Sequence, residues 1–496
     1  MAHLSPQSRF RLGAVVALFA SAALLAAPAP GSAAGRPLVT GIEDPDTTDL
    51  AVPLVYERIR DANARFVRLT VLWRVIAPRN EPLAWDPTNP GDMNYNWSLP
   101  DREVRQAVAA GLTPLVQVYS APEWAQRCHQ ETIAGGPCDP DPHAVGEFAE
   151  AIARRYDGRF LGLPRIRYWE LMNEPNLPVY FNPQYRDGKP ASPLLFRPLQ
   201  NAFSDAVKQV ERSNLVVGPD MAPLKDEGAV APLDFMRRLL CMSGRRHPHP
   251  SSSCHARTRF DIWATNPYTT GGPTHHAAGP DEVSLGDLPE MRRLLRAAER
   301  AGRIESDLHP VPFWVTEFSW DSKPPDPGGL PWRIHARWAA EAIYRAWKAG
   351  VSVFLWNKLR DQDPAIAPHY GIADSGLYLR GSTLAEDKPK RILRAFRFPF
   401  VAFRSERGVR VWGRTPPGRP GKVRIQVREG HRWRSIAELA ADRFGIFERV
   451  VETRYGRGSR GLVRARYGDQ TALPFSLHYV GDFYQPPFGK PPPGVG

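Results

Sequence analysis

The sequence has few cysteines, only one long apolar run and no block of basic residues. Each of these shortages excludes certain classes of protein. Four cysteines among 496 residues are too few for a disulfide-rich scaffold. No two of them have the Cys-x-x-Cys spacing that is typical of a zinc site. The first predicted strand is not followed by the Gly-rich turn that binds nucleotide or flavin phosphates. We therefore expect neither a metal ion nor a cofactor.

The one long apolar run lies at the amino terminus. Arg9 and Arg11 precede an apolar stretch over 13–27, and small residues follow it up to Ala34. This layout is typical of a secretory signal peptide over residues 1–34. An uncleaved amino-terminal anchor is the alternative, but the run is short for a membrane span. We expect cleavage after Ala34 and a secreted, extracellular protein.

Export places the cysteines in an oxidising compartment, where an even number of thiols usually forms bridges. Three pairings of four cysteines are possible in principle. Proximity in sequence favours Cys128 with Cys138 and Cys241 with Cys254, each pair enclosing a loop rich in Pro, Gly or Ser. We therefore expect two local disulfides.

The charge is basic, with a formal net value of +13, but arginines are spread along the whole chain. No Lys/Arg block of the kind found in nucleic-acid-binding tails occurs, so we expect no nucleic-acid partner. The excess is either a compositional bias or a means of attraction to an anionic polysaccharide or the cell envelope. We expect a monomer.

Short apolar, β-branched runs alternate with amphipathic helical stretches up to residue 360. This order predicts a parallel sheet covered by helices. Marked helices are expected at 101–110, 143–156, 288–301 and 332–349. Eight units favour an α/β fold of the (β/α)8 TIM barrel type, whose active sites form where strands end. The eight predicted strands are 38–42, 65–71, 113–118, 165–171, 215–218, 260–265, 312–316 and 351–356.

The pattern changes near residue 400, where apolar and polar residues begin to alternate with the period of half-exposed strands. The runs 409–412, 422–427 and 462–467 show it best, and 434–439 is compatible with a short helix. We predict a catalytic barrel domain over 35–399, a β-sandwich domain over 400–484 and a Pro-rich tail over 485–496.

Two of the predicted strands end abruptly on a carboxylate, Glu174 after the fourth and Glu317 after the seventh. The fourth and seventh strands of a closed eight-stranded barrel face each other across its mouth. Two carboxyls facing one cleft suit hydrolysis of a glycosidic bond, in which one is the acid and the other supports the anomeric carbon. Taken singly, each could instead be a helix-start carboxylate or a partner in a structural ion pair.

Asn173-Glu174-Pro175 on strand four and Glu317 on strand seven resemble the retaining glycoside hydrolases of clan A, with families 5 and 39 the nearest. The resemblance covers residues 38–360. It implies that Glu174 is the acid/base and Glu317 the nucleophile. It also implies that Asn173 binds the sugar 2-hydroxyl, while Arg68 and Tyr268 support the nucleophile.

The residue types agree with those roles, because a cation and a phenol beside Glu317 would lower its pKa while apolar surroundings would raise that of Glu174. Asn266 is a departure, since many members of the clan carry a histidine two residues before the tyrosine. Trp356 ends strand eight and is our candidate sugar-stacking platform. Trp73, Trp124 and Trp320 also stand near strand ends, where they either stack on sugar or plug the barrel.

The sequence thus predicts a secreted retaining glycoside hydrolase that acts on a β-linked glycan or oligosaccharide. A transglycosylase with the same residues is one alternative. A non-catalytic carbohydrate-binding or envelope protein is the other.

Overall fold

The structure is a computed structural model, and it describes residues 35–128, 136–225, 228–365, 373–453 and 461–478. The predicted signal peptide (1–34) and Pro-rich tail (485–496) lie outside these residues. The predicted limits of the domains stay predictions.

Eight parallel strands form one sheet, and each coincides with a strand predicted from the sequence. The sheet order is β6-β7-β8-β1-β2-β3-β4-β5 in the numbering used here. The strands are β1 Val39–Glu43, β2 Phe66–Leu72, β3 Thr113–Tyr119, β4 Tyr168–Leu171, β5 Leu215–Val217, β6 Trp263–Thr265, β7 Phe313–Val315 and β8 Val351–Asn357.

The two ends of this sheet meet, so the strands close into a barrel. A parallel bridge joins Val217 at the end of β5 to Ile262 just before β6. The backbone N–H of Gly218 donates to the carbonyl of Ile262 at 2.6 Å, and Asp261 N–H donates to Val216 at 2.7 Å. A closed parallel sheet wrapped by helices is the predicted (β/α)8 fold.

The helices follow from ordinary start and stop signals. Pro142 at the first turn and Asp141, whose side chain accepts from His143 N–H, begin α5. The left-handed Gly350, with φ of 99°, ends α9 just before β8. The helices are α1 Pro45–Thr48, α2 Pro53–Asp61, α3 Trp73–Ile76, α4 Ser98–Ala109, α5 Pro142–Arg155, α6 Ser192–Val210, α7 Pro232–Leu239, α8 Leu288–Arg300, α9 Trp332–Ala349 and α10 Arg391–Arg397.

The barrel interior is built in layers, because residues two apart on a strand point to the same face. Its lower layer is apolar and aromatic: Phe66 contacts Tyr168 and Trp314 edge-on, with ring centroids 5.1 Å apart in both cases. Each such pair contributes ~0.5–1.5 kcal/mol beyond its buried area. Two residues beyond Phe66 comes Arg68, and two beyond Tyr168 comes Glu170. The next layer towards the strand ends is therefore polar.

Two antiparallel sheets follow the barrel and form the predicted β-sandwich. In the strand Gly421–Glu429 (β11) the side chains of Val423, Ile425 and Val427 are buried while Arg424 and Arg428 are exposed, which is the predicted alternation. The first sheet contains β9 Phe400–Ser405, β10 Gly408–Arg414 and β13 Ile446–Glu452; the second contains β11 Gly421–Glu429, β12 Arg432–Ala441, β14 Leu462–Tyr467, β15 Gln470–Thr471 and β16 Phe475–Ser476.

The sandwich packs on α9 through aromatic side chains. Tyr344 lies 5.6 Å from Phe403 and 5.3 Å from Trp412 between ring centroids. The short helix that the sequence allowed over 434–439 does not form, because this segment is part of β12 and pairs with β11 except at Ile436, where the register shifts. Cross-strand pairing with β11 outweighed its weak helical preference.

Both predicted disulfides are present, Cys128–Cys138 and Cys241–Cys254. They close loops of 10 and 13 residues in sequence separation. Within the described ranges, no helix combines the length and the apolar character that crossing a membrane requires.

Substitution of Gly41 should destabilise the barrel, because a Cβ at this position in β1 would lie 2.7 Å from both Cβ and O of Phe66. We expect Gly41→Ala to lower the free energy of unfolding by about 1–3 kcal/mol, the usual cost of overpacking. Gly146 in α5 is the matched control, since its nearest neighbour would be 3.8 Å away. Gly146→Ala should be neutral or stabilise by up to ~1 kcal/mol. Equal unfolding midpoints in denaturant would contradict this packing.

Candidate active site

The polar layer of the barrel is organised by Arg68 of β2, whose side chain is fully buried. Its Nε donates to Glu170 Oε2 at 2.8 Å. Its two terminal nitrogens donate to Glu317 Oε1 and Asp220 Oδ2, both at 2.5 Å. The planar guanidinium has donors pointing in several fixed directions, which lets one cation contact three carboxyls at once. Arg68 thus joins strand ends four, five and seven.

Asn173 is fixed beside this cation. Its Oδ1 accepts from Arg68 Nη2 at 3.1 Å and from Gln117 Nε2 at 3.2 Å. Two donors on the oxygen assign the amide orientation and leave the Nδ2 group to face other partners. The side chain of Asn173 also hydrogen-bonds Tyr180.

Glu174 follows Asn173 in a left-handed backbone conformation, with φ of 37°. This region is unfavourable for a residue with a Cβ and persists where surrounding contacts impose it. Its N–H donates to Asp220 Oδ1 at 3.1 Å, and its Oε1 accepts from Asn266 Nδ2 at 3.1 Å. The residue is 9% exposed. The turn after β4 thus directs this carboxyl towards the polar cluster around Arg68.

Glu317 lies on the opposite side of the barrel mouth, after β7. Besides the Arg68 contact, it accepts a hydrogen bond from Tyr268 Oη to Oε2 at 3.3 Å. Asn357 Nδ2 in turn donates to Tyr268 Oη at 2.8 Å. The side chain of Glu317 is 13% exposed. The structure therefore brings together Arg68, Asn173, Glu174, Tyr268 and Glu317, all of which were singled out in the sequence.

Burial dominates the acidity of both glutamates. It raises the pKa of Glu174 well above its usual value, and the charges of Glu317 and Asp220 raise it further. Burial also raises the pKa of Glu317, while the charge of Arg68 and the hydrogen bonds from Arg68 and Tyr268 lower it. The predicted net lowering for Glu317 is wrong, because desolvation exceeds the effect of the cation and the phenol. The charges of neighbouring acids add to the rise at Glu174, whereas the donors around Glu317 oppose it.

Two carboxyls in this cluster were not predicted. Asp220, two residues beyond the Gly218 bond that closes the barrel, accepts from Glu174 N–H, Arg68 and Asn266. Glu170 inside β4 pairs with Arg68, and burial raises its pKa well above the usual value. Glu170 could have been found from the sequence, because it is a charged residue within the apolar run of β4. Asp220 had no motif around it.

A third unpredicted carboxyl, Glu43, ends β1. It is the register partner of Arg68 on one side and of Asn357 on the other, so its side chain points to the same interior face. Burial raises the pKa of Glu43 well above its usual value, the charge of Glu317 raises it further, and Arg68 and Lys358 lower it. Glu43 therefore adds a further ionisable group to the barrel mouth beside Glu317.

Asn266 occupies the place after β6 where a histidine was expected from the resemblance. Its Nδ2 donates to Glu174 Oε1 and, at 3.2 Å, to Asp220 Oδ2, while its Oδ1 accepts from Thr316 Oγ1 at 3.0 Å. An amide does not titrate near neutral pH. The Asn266 amide can therefore donate to Glu174 without any change in its own protonation near neutral pH.

The predicted role of Trp356 as a stacking platform is wrong. The residue is fully buried, and its Nε1 donates to the Ser375 carbonyl at 2.9 Å. Phe318 packs against one edge of the ring and His335 lies near it, so no face is open to a sugar. Trp73 and Trp320 are buried as well. Of the four tryptophans singled out in the sequence, Trp124 alone is partly exposed.

No family model matches this sequence, and no curated protein does. Solved structures with a related shape include a family 39 glycoside hydrolase from Bacteroides cellulosilyticus WH2, at 16% identity, TM-score 0.48 and coverage of 84% of this chain and 80% of that chain. The family 39 enzyme from Xanthomonas axonopodis pv. citri has 16% identity and a TM-score of 0.48, and the match covers 85% of this chain and 93% of that chain. A family 39 β-xylosidase from Caulobacter crescentus has 16% identity and a TM-score of 0.48, and the match covers 79% of this chain and 84% of that chain.

All of these TM-scores lie below 0.5, so the barrel fold is established by the strand order and register of this chain itself. In the described ranges, no group of three or more His, Cys, Asp or Glu side chains is placed to hold a metal ion.

Removing Arg68 should destabilise the protein strongly, because the buried Glu170 and Asp220 and the partly buried Glu317 would lose their common cation. We expect Arg68→Met to cost about 3–5 kcal/mol of unfolding free energy near neutral pH. The loss should shrink in acid, because burial raises the pKa of Glu170 and of Glu317 and a protonated carboxyl no longer needs a cation. Denaturant unfolding at pH 5 and pH 7 measures both values. Arg102→Met, at an exposed site, is the control, and a similar small loss in both variants would contradict the network.

Proposed function

We propose that this protein is a secreted retaining glycoside hydrolase that cleaves O-glycosidic bonds of a β-linked glycan or oligosaccharide. The observation that supports this most is the convergence of Glu174 and Glu317, from opposite sides of the barrel mouth, on one cluster around Arg68. Both disulfides agree with export to an oxidising compartment. The substrate is a carbohydrate.

In the first step, Glu317 Oε attacks the anomeric carbon while Glu174 gives its proton to the leaving oxygen. The glycosidic C–O bond breaks, the aglycone departs as an alcohol, and a glycosyl ester forms on Glu317. In the second step, Glu174 removes a proton from water, whose oxygen attacks the anomeric carbon. The ester bond breaks, and both glutamates return to their starting protonation states.

The surroundings of the two carboxyls differ in the way that this reaction requires. Arg68 and Tyr268 both donate to Glu317, which favours its ionised form and holds it in position for attack. Glu174 is buried beside other acids and receives one neutral donor, Asn266. It therefore holds a proton at a pH where an exposed glutamate would have lost it.

Asn173 is the proposed contact for the sugar hydroxyl beside the anomeric carbon. Because its Oδ1 is occupied by Arg68 and Gln117, only the NH₂ group is oriented to donate to substrate. Hydrogen bonds to this hydroxyl strengthen in the transition state of such reactions.

The first experiment is a screen of the mature protein on aryl β-glycosides and β-linked polysaccharides. We expect Glu317→Gln to reduce turnover of any hydrolysed substrate at least about a thousandfold, because the amide cannot form the glycosyl ester. Glu290→Gln, on the exposed side of α8, is the control and should keep wild-type rates. A Glu317→Gln enzyme with more than about a hundredth of wild-type activity would exclude this residue as the nucleophile.

Replacing Glu174 should affect substrates according to their leaving group. Glu174→Gln should slow alkyl and sugar leaving groups by about 10²–10⁴-fold, since these need the proton, and slow the first step with dinitrophenyl glycosides far less. The wild-type rate should fall as pH rises through the raised pKa of Glu174, and this alkaline limb should disappear in Glu174→Gln. Pre-steady-state and pH-rate measurements with both leaving groups test this. Equal losses for both would argue against an acid role.

The stereochemistry of the product tests double displacement directly. We expect the first-formed product to keep the β configuration at the anomeric carbon, as two successive inversions require. Proton NMR during the first minutes of hydrolysis distinguishes this product from the α anomer before mutarotation. An α product would mean a single displacement by water and would remove the covalent role of Glu317.

A further inference from the structure

A groove of about 610 Å³ on the outside of the barrel is lined by basic residues. It lies between α8 and the end of α9, with part of the loop 273–286 as a third wall. Five cationic side chains line it, and none of its described lining residues is acidic. They are Arg292, Arg293, Arg296, Arg345 and Lys348. None of these residues belongs to the cluster around Arg68.

Three of the five cations already have an acid partner on their own helix. Arg296 pairs with Glu299 at 2.7 Å and Arg345 with Glu341 at 2.6 Å. Arg293 lies 3.9 Å from Glu290. These local pairs hold the guanidinium groups in place but leave other N–H donors free for a ligand.

Arg292 and Lys348 have no acid partner among the described residues. The Nε of Arg292 is buried without a hydrogen-bond acceptor. Its guanidinium lies against Gly350, where a Cβ would come within 2.4 Å of Cζ. This close approach to the backbone restricts the position of the guanidinium group.

Nearby lies Arg36, a third cation for which the described part of the chain supplies no acid partner. Arg36 donates from Nη1 to the carbonyl of Lys348 at 3.3 Å and lies over the ring of Trp347 at 4.5 Å. Burial lowers the pKa of Arg292, and the positive charges of Arg296 and Arg36 lower it further. Like charges held together without an anion are unfavourable, and a bound anion would relieve that repulsion.

We propose that this groove binds the carboxylate or sulfate groups of an acidic polysaccharide, as a second carbohydrate site outside the barrel mouth. Guanidinium groups match planar and tetrahedral oxyanions with paired N–H donors. A chain with an anion on successive sugars fits several cations spread along an open groove.

Two other anionic partners fit less well. A membrane surface favours exposed apolar side chains beside the cations, and none of the exposed large hydrophobic residues described in this chain lines the groove. A single-stranded nucleic acid favours Trp, Tyr or Phe rings for stacking, and no such ring is among the described lining residues. The polysaccharide therefore remains the favoured ligand.

The test is binding of fluorescently labelled oligogalacturonate and dextran sulfate to the mature protein, followed by fluorescence anisotropy at several salt concentrations. The double variant Arg292→Gln/Lys348→Gln should bind about tenfold more weakly and show a weaker salt dependence. The control Arg60→Gln/Arg102→Gln removes the same charge at exposed positions and should stay within about twofold of wild type. Neutral dextran should not bind.

Lys348→Gln alone replaces an exposed side chain, so it keeps the test informative if the double variant folds poorly. It should weaken binding by about threefold. No binding of either polyanion, or equal losses in the groove and control variants, would overturn the proposal. So would binding to vesicles containing phosphatidylglycerol without binding to either polyanion. Hydrolysis of aryl glycosides is expected to stay unchanged in these variants, so the result is independent of the proposed catalytic activity.

Discussion

The cluster at the barrel mouth depends on one buried cation that is shared by three carboxyls. Arg68 compensates part of the cost of placing Glu170, Asp220 and Glu317 out of water. The same contacts fix the strand ends relative to one another, because each partner comes from a different strand or the loop after it. Stability and proposed chemistry are therefore linked, because the group that orients the proposed nucleophile also holds the strand ends together.

Around that cation, neutral donors and acids give the two proposed catalytic carboxyls different affinities for a proton. Glu317 receives donors from Arg68 and Tyr268, whereas the donor to the Glu174 carboxyl among the described residues is the amide of Asn266. Asp220 contacts both sides of this arrangement, since it accepts from Arg68 and from the backbone of Glu174. Burial raises both pKa values, and the difference in donors decides which carboxyl keeps its proton longer.

The barrel could be predicted because each of its strands is a short apolar run, and Glu174 and Glu317 because each stands where such a run ends. The contacts of Arg68 and Tyr268 required the additional resemblance to clan A. Asp220 and Glu43 were missed because a carboxyl after a strand carries no signal until the register of neighbouring strands is known. Trp356 was assigned wrongly because sequence places a residue at a strand end without showing whether its ring faces the cavity or the helices. The segment 434–439 became a strand because β11 offered it hydrogen-bond partners.

The aromatic layer of Phe66, Tyr168 and Trp314 lies directly beneath the polar cluster and closes the barrel from below. Buried apolar side chains from the neighbouring strands pack around these rings, so access to the polar cluster from below is blocked. A polymer threaded through the barrel is therefore excluded. A long glycan would have to lie across the loops, with a single ring dipping towards the two glutamates and both of its ends leaving on the same side of the molecule.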